Sequence, residues 1–506
     1  MQLTAQQQDF VTALCDTDDN LALVARAGCG KTSTILAGVA EYLKKNPQGE
    51  IIVCAFNKAI AEEVSGKLSK RNIDWKRARA ATIHSLGFNL IKFAFKSAVD
   101  AKKVAKIIDQ QNDRVYRDFR AQIADLVRYA KGAGFGFFSD AQISDKAAWF
   151  ALADKFDVNG FDDDTTNLDI VVEAAQNIYR LSLADTSVVD YDDMILLPLV
   201  RNLRVKFPAD LIIIDEAQDL SRARQALARK FVRPETGRMI VVGDDRQAIY
   251  GFAGADAESL ANLIKALDAV VLPLNVTWRC PTAVVAEAQS YVNDIEAASG
   301  AAEGAVLRQE TLPADLEPGR DAILCRNTAP LIEVAYQLIR AGIPAKVEGR
   351  AIGEGLIKLA RRWKIKTISA LLTKLADYRE REIQKAMAKG RDDKAEAIAD
   401  RVDTLVAICE TCTQRGQTDI DHVAAYIDGL FADGADKAVV LATYHRCKGR
   451  EWPRVSLYEH AKRCPSKFAK QAWQKVQEAN LAYVAITRAQ ETLVYVGAQC
   501  PHPTSA

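Results

Sequence analysis

Ala25-Arg26-Ala27-Gly28-Cys29-Gly30-Lys31-Thr32 follows an apolar run, Leu21–Ala25, and opens a stretch with helical spacing. A strand that turns through small residues into a helix lets backbone N–H groups close around phosphate oxygens, and the helix N-terminus adds its partial positive charge. In this reading Lys31 reaches the β- and γ-phosphates and Thr32 binds Mg²⁺. The candidate nucleotide-binding set is Ala25, Arg26, Ala27, Gly28, Cys29, Gly30, Lys31, Thr32 and Ser33. Ala25 stands where the standard pattern has its first glycine, so bulk is still kept away from phosphate. Taken alone, the stretch also fits a chance glycine-rich turn.

Two further stretches weigh against that turn. Leu211-Ile212-Ile213-Ile214-Asp215-Glu216 is an apolar strand ending in two acids. A buried strand can deliver Asp215 to the Mg²⁺ shell, and Glu216 can orient and deprotonate the attacking water. In Val241-Val242-Gly243-Asp244-Asp245-Arg246-Gln247-Ala248-Ile249-Tyr250-Gly251-Phe252 a strand ends in Gly-Asp and then presents Gln247 close to two aromatics. Gln247 can sense the γ-phosphate, while Tyr250 and Phe252 can stack on bases. On composition alone the aromatics read as core.

Around these stretches, short β-rich runs alternate with helical ones, the pattern of parallel α/β sheets. One set of expected strands is Leu21–Ala25, Ile51–Phe56, Arg79–Ile83, Leu211–Asp215 and Met239–Gly243. A second set is Val271–Asn275, Ala322–Arg326, Ala345–Gly349, Val439–His445, Arg454–Glu459 and Thr492–Val496. Two doubly wound sheets follow. Phe88–Asp190 has helical spacing and no convincing strand. Residues 350–437 are also helical, and Leu371–Cys409 reads as a long amphipathic hairpin turning near Gly390. The expected domains are residues 1–88 with 191–270, a helical insertion at 89–190, residues 271–349 with 438–506, and a reduced helical insertion at 350–437. Gln499–Ala506 reads as a loose tail.

The 506 residues suggest about three or four compact units. With 67 Lys plus Arg against 66 Asp plus Glu, net charge argues neither for nor against nucleic acid, so any binding groove is a local patch. The polar N-terminus does not read as a signal peptide, and no apolar run approaches the roughly 18 residues of a membrane span. The expectation is a soluble cytoplasmic protein with no membrane partner. Its ten scattered cysteines read as reduced thiols. Cys409-Glu410-Thr411-Cys412 could supply half a metal site, but reads more simply as two cysteines on the last turn of a helix.

In their order along the chain these motifs resemble the UvrD/Rep/PcrA family of superfamily-1 helicases. Leu3-Thr4-Ala5-Gln6-Gln7 is similar to the family's Q motif, which implies that Gln7 reads adenine. Ala55-Phe56-Asn57-Lys58-Ala59 and Thr82-Ile83-His84-Ser85 resemble single-strand-contacting motifs, implying DNA contacts for Phe56, Asn57, Thr82 and His84. Val189-Asp190-Tyr191-Asp192-Asp193-Met194 resembles the acidic segment preceding the metal-binding strand.

Leu274-Asn275-Val276-Thr277-Trp278-Arg279 resembles the family's Asn-Tyr-Arg motif, which implies that Trp278 stacks on adenine and Arg279 is an arginine finger. Thr443-Tyr444-His445-Arg446-Cys447-Lys448-Gly449-Arg450-Glu451-Trp452 resembles a motif touching both DNA and nucleotide. It adds Thr443 and His445 to the DNA set and Glu451 to the nucleotide set. Leu481-Ala482-Tyr483-Val484-Ala485-Ile486-Thr487-Arg488-Ala489 resembles the last motif, with Arg488 as second finger. The implied catalytic set is Lys31, Glu216, Gln247, Arg279 and Arg488.

The resemblance implies two RecA-type domains with ATP between them and 3′→5′ movement on single-stranded or tailed duplex DNA. It also implies a chain that is monomeric alone, with any nuclease or replication and repair protein as a separate partner. No nuclease-type carboxylate cluster follows the last motif. Two departures stand out. Phe252-Ala253-Gly254-Ala255 lacks the family's usual arginine, for which Arg246 is a candidate substitute, and the second insertion is short. Lys358–Lys366 at its start could bind duplex phosphates, or form a solvated helix face with Trp363 buried. Two other functions fit the same motifs. One is a translocase that strips proteins from DNA without unwinding it. The other is a nucleotide-sensing subunit of a larger DNA-processing complex.

Overall fold

The computed structural model describes residues 3–155, 158, 165–249, 259–388, 392–431, 438–470 and 472–497. Contacts divide the chain into two compact units. The first comprises Met1–Ala25 with Gly30–Leu274, and the second comprises Arg26–Cys29 with Asn275–Ala506.

In the first unit the strands are β1 (Leu21–Ala25), β2 (Ile51–Ala55), β3 (Ala78–Thr82), β4 (Ala98–Val99), β5 (Val188–Val189), β6 (Leu211–Ile214), β7 (Arg238–Gly243) and β8 (Val270–Leu274). Six of them form one sheet in the order β3-β2-β6-β7-β1-β8, with every pairing parallel. Parallel strands covered on both faces read as continuous apolar runs. Accordingly β2, β6 and β7 are buried at every position.

β8 corrects the sequence reading. Val271–Asn275 was expected in the second sheet, yet Val270–Leu274 pairs with β1, Leu21 against Val270 through Ala25 against Leu274. It is an edge strand with Val270 and Val271 exposed, and an edge accommodates Pro273, which has no N–H to give a ladder. An apolar run says that a strand forms, not which sheet it joins.

The first insertion is helical and has its own apolar core around Trp149, Tyr179, Ile123 and Val127. Contrary to expectation it also carries strand structure, since β4 and β5 pair in parallel where the chain leaves and rejoins the sheet. Beside that pair, Lys103 Nζ meets Asp193 at 2.7 Å, and Lys131 Nζ meets both Asp190 and Asp193 at 2.7 Å. The acidic segment thus fastens the insertion through buried, paired charges. Burial would lower Lys131, but Asp193 and Asp190 outweigh it and raise its pKa.

The second unit contains β9 (Val276–Thr277), β10 (Glu296–Ala297), β11 (Ala305–Gln309), β12 (Asp321–Cys325), β13 (Ala345–Val347), β14 (Val439–Thr443), β15 (Trp452–Tyr458) and β16 (Ala489–Val496). The large sheet runs β11-β16-β15-β12-β14-β13, again all parallel. The second insertion folds as helices Arg350–Ala360, Ile368–Ala388, Asp392–Gln414 and Ile420–Leu430. The middle two are the expected hairpin; Gly390 lies outside the described residues.

These helices share one core with the sheet, in which Leu371, Leu405 and Ile427 join Ile323 and Leu441. Arg326, after β12, adds polar ties at 2.8 Å to Glu396 in the hairpin and 2.7 Å to Glu478. Cys409 and Cys412 are buried in the same core at the end of the hairpin's second helix. Burial pushes the Cys409 thiol up to about 12, which disfavours the thiolate a metal would need. Trp363 is partly buried edge-on to Tyr378. Among the described residues, no helix is long and apolar enough to cross a membrane.

Candidate nucleotide and DNA site

Parallel α/β sheets bind ligands beyond the C-terminal ends of their strands. The phosphate-loop residues follow β1, Asp215 follows β6 and Asp244 follows β7, so in a parallel sheet all three leave the same edge. Gly28 and Gly30 have φ of +72° and +77°, a region that side chains rarely adopt. Lys31 then begins the helix Lys31–Lys45.

Lys31 Nζ lies 2.8 Å from Glu216 Oε1. Burial alone would lower its pKa, but the carboxylates of Glu216, Asp215 and Asp244 outweigh it and hold the ammonium well above the usual lysine range. Asp215 is raised by burial and by adjacent Glu216, with Lys31 opposing. A second cation at this position would relieve that cost, so Asp215 fits a metal-shell carboxylate. Glu216 occupies a left-handed backbone conformation, φ +53°. Such strain in a residue with a side chain costs about 1–3 kcal/mol and is retained where surrounding contacts over-determine it. Here Glu216 Oε1 faces Lys31, and Gln218 Nε2 donates to Glu216 Oε2 at 2.5 Å.

Gln218 was not among the residues expected from the sequence. Its Oε1 accepts the Asp244 N–H at 3.2 Å, and Gln247 Nε2 donates to Asp244 Oδ2 at 2.7 Å. One chain of contacts therefore links Lys31, Glu216, Gln218, Asp244 and Gln247. A Cβ on Gly243 would stand 2.5 Å from Gln218 Oε1, so a glycine there makes room for the link. The available signal was Gln218's place two residues after Glu216.

Gln7 is fully buried and caps the first helix with Thr4. Its Oε1 accepts the Thr4 N–H, while its Nε2 has no hydrogen-bond partner. A Cβ on Gly30 would lie 3.2 Å from that nitrogen. An orphaned buried donor costs about 1–3 kcal/mol, so this amide beside the phosphate loop fits a ligand acceptor such as a purine edge.

In the second unit the arginine side is also assembled. Arg279 Nε meets Glu451 Oε2 at 2.5 Å, and Arg279 Nη1 donates to the Thr487 carbonyl at 3.3 Å. Arg488 is buried, donating to the carbonyls of Val484 and Arg450. Burial and neighbouring Arg279 lower its pKa. Trp278 is 55% exposed, open to a stacking partner. The loop residues that group with this unit are held by side chains that left no local signature. Tyr483 Oη accepts the Ala27 N–H at 2.9 Å, and Arg26 makes a two-pronged pair with Asp294 at 2.7 and 2.8 Å.

The DNA candidates of the first unit lie side by side, since β2 and β3 pair with Ala55 opposite Thr82. Phe56 is 46% exposed. Asn57 and Thr82 also cap helices, accepting the N–H groups of Ile60 and Ser85. Burial, with a smaller contribution from Arg224, lowers His84 to about 4. In the second unit Thr443 ends β14, and burial with Arg326 and Arg446 lowers partly buried His445 to about 3. Both imidazoles are neutral donors or acceptors at neutral pH. Arg246 is exposed and lies 3.2 Å from Asp245. Tyr250, Phe252 and the Phe252–Ala255 motif lie outside the described residues.

Two RecA-like sheets, one carrying a lysine loop with paired acids, define a helicase-type ATP-binding fold. The family model for the UvrD/REP helicase N-terminal domain matches residues 3–268, and that for the UvrD-like helicase C-terminal domain matches 362–499. The chain belongs to the UvrD/REP helicase family. It is 25% identical to the ATP-dependent DNA helicase Rep of Escherichia coli, over 54% of this chain and 40% of that protein. It is 24% identical to DNA helicase IV of the same organism, over 48% and 40%. The F-box DNA helicase protein 1 of Schizosaccharomyces pombe is 23% identical over 97% of this chain and 57% of its own length. The chain therefore spans well under two thirds of each of these relatives.

Proposed function

We propose that this chain is an ATP-driven DNA motor that moves 3′→5′ on single-stranded DNA and unwinds duplex ahead of it. The observation that carries the reading is the Lys31–Glu216–Gln218–Asp244–Gln247 chain on strand ends. Incoming phosphates compete for Lys31 and release Glu216 from its ion pair. Glu216 then takes the proton of a water whose oxygen bonds the γ-phosphorus as the bond to the β-phosphate oxygen breaks. Thr32 and Asp215 are the residues that would hold Mg²⁺, which when bound compensates phosphate charge. Arg279 and Arg488 stabilise charge developing on the transferred group. Phe56 and Trp278 offer exposed rings, for a base of the DNA and for adenine respectively.

The test is strand displacement on duplexes with a 3′ or a 5′ single-stranded tail. Displacement of 3′-tailed duplex alone is expected. Displacement only from 5′ tails would refute the polarity, and ATP turnover with clearance of bound protein but no displacement would support the stripping reading. Little DNA-stimulated turnover would favour the nucleotide-sensing reading.

A further inference from the structure

The first sheet has a second charged surface at the edge opposite the phosphate loop. Residues 201–210 lead into the N-terminal end of β6, whereas the loop follows the C-terminal end of β1 in the same parallel sheet. Phe207, in that lead-in, is 62% exposed, and Phe93, near the end of the helix Ile83–Phe95, is 78% exposed. The two rings belong to one surface. Lys206 Nζ lies 5.7 Å from the centre of Phe93 and 5.4 Å from that of Phe207.

The two segments that carry these rings have charge of one sign. The segments 91–99 and 194–209 contain no Asp or Glu, while they hold exposed Lys92, Lys96, Arg204 and Lys206. The acids that follow each segment are already engaged. Asp100 is paired with Lys106 at 2.6 Å, and Asp210 is held by Arg233 at 2.8 Å and by the Glu50 N–H at 2.7 Å. Scattered exposed phenylalanines are ordinary. Two that share a lysine between two segments that carry cations and no acids form the combination of stacking rings and phosphate-binding cations that single strands use.

We propose that this face is a second binding surface for single-stranded nucleic acid, separate from the motif-lined edge, with Phe93 and Phe207 stacking on bases and Lys206, Arg204, Lys92 and Lys96 meeting phosphates. An acidic peptide would satisfy the cations but leave the rings without planar partners. Duplex keeps its bases stacked inside. An unpaired base with its phosphate satisfies both features.

The test uses the full chain and an oligothymidylate carrying photoreactive 5-iodouracil. Irradiation and peptide mapping are expected to mark peptides containing Phe93 or Phe207. Phe93→Ala with Phe207→Ala keeps every charge. It is expected to remove those crosslinks and weaken binding of a second oligonucleotide by about thirtyfold or more, with thermal melting unchanged. Arg204→Gln with Lys206→Gln is expected to reduce the slope of log affinity against log salt by about 1.4, two phosphate contacts' worth. One bound oligonucleotide per chain with no crosslink at either phenylalanine would overturn the proposal. So would polyglutamate binding at this face where the oligonucleotide does not.

Discussion

The two sheets end in opposite charge. In the first unit the acids Asp215, Glu216 and Asp244 gather about one lysine and raise its affinity for its proton. In the second, burial and then the neighbouring Arg279 lower the pKa of Arg488, with Glu451 holding Arg279. The acid cluster is suited to holding a metal and taking a proton from water. The arginine cluster is suited to receiving negative charge, and its guanidiniums repel one another until an anion arrives. Phosphoryl transfer needs both capacities, and the contrast says which substitutions are most damaging.

The largest effect is expected at the centre of the acid cluster. Lys31→Ala removes the cation that the acids surround, and ATP turnover is expected to fall below detection while oligonucleotide affinity is kept. Substantial turnover in this variant would break the assignment. On the arginine side, Arg279→Ala is expected to lower kcat by about a thousandfold or more with little change in nucleotide affinity. Equal losses in kcat and in affinity would instead make Arg279 a ground-state ligand.

A smaller loss sharpens the comparison within the first unit. Gln218→Ala cuts the link between Glu216 and Asp244, and a hydrogen bond to a charged group contributes about 1.5–3 kcal/mol. Steady-state kinetics should show kcat reduced about ten- to a hundredfold with a smaller change in KM. Phe56→Ala removes a stacking surface worth about 1–3 kcal/mol. It should slow stepping along DNA more than it slows hydrolysis in a stopped-flow translocation assay, and an unchanged stepping rate would make Phe56 a core residue only.

The smallest expected effect is on stability in acid. His460 is buried in the second unit, 2.8 Å from Tyr444 Oη, and burial lowers it from 6.5 to about 4, against the pull of Glu287 and Glu478. The folded state therefore binds its proton less readily than the unfolded chain. Its contribution is present above about pH 6.5 and is lost as pH falls toward 4. His460→Gln should flatten the fall in melting temperature across that window.

Much of this architecture was legible because buried parallel strands are unbroken apolar runs. A run such as Leu211–Ile214, ending in charge, announces both a strand and a site. The edge strands β3, β8 and β13 were legible as strands, but β11 was not. Ala305–Gln309 has only three apolar residues in a row and none of its side chains is buried, so its pattern did not mark it. The sheet membership of Val270–Leu274 depends on pairing with β1, which local composition does not encode. Within the site, Lys31, Asp215 and Glu216 followed from chemistry at fixed spacing. Tyr483 against Ala27, Arg26 against Asp294 and Gln218 between two acids are contacts made only after folding.

The two insertions show the same division. Each is joined to its sheet by paired charge, buried Lys103 and Lys131 with Asp190 and Asp193 in the first, part-buried Arg326 with Glu396 in the second. Helical spacing revealed both insertions. Their ionic fastenings pair residues distant in sequence and were not visible beforehand.

In the proposed function the acid cluster and the arginine cluster both serve a DNA-dependent ATPase. The most direct test of that function is phosphate release by the full chain with and without oligothymidylate, beside Lys31→Ala and Arg279→Ala. The account predicts turnover strongly stimulated by the single strand and lost in both variants. Turnover indifferent to DNA, or persisting in either variant, would contradict it.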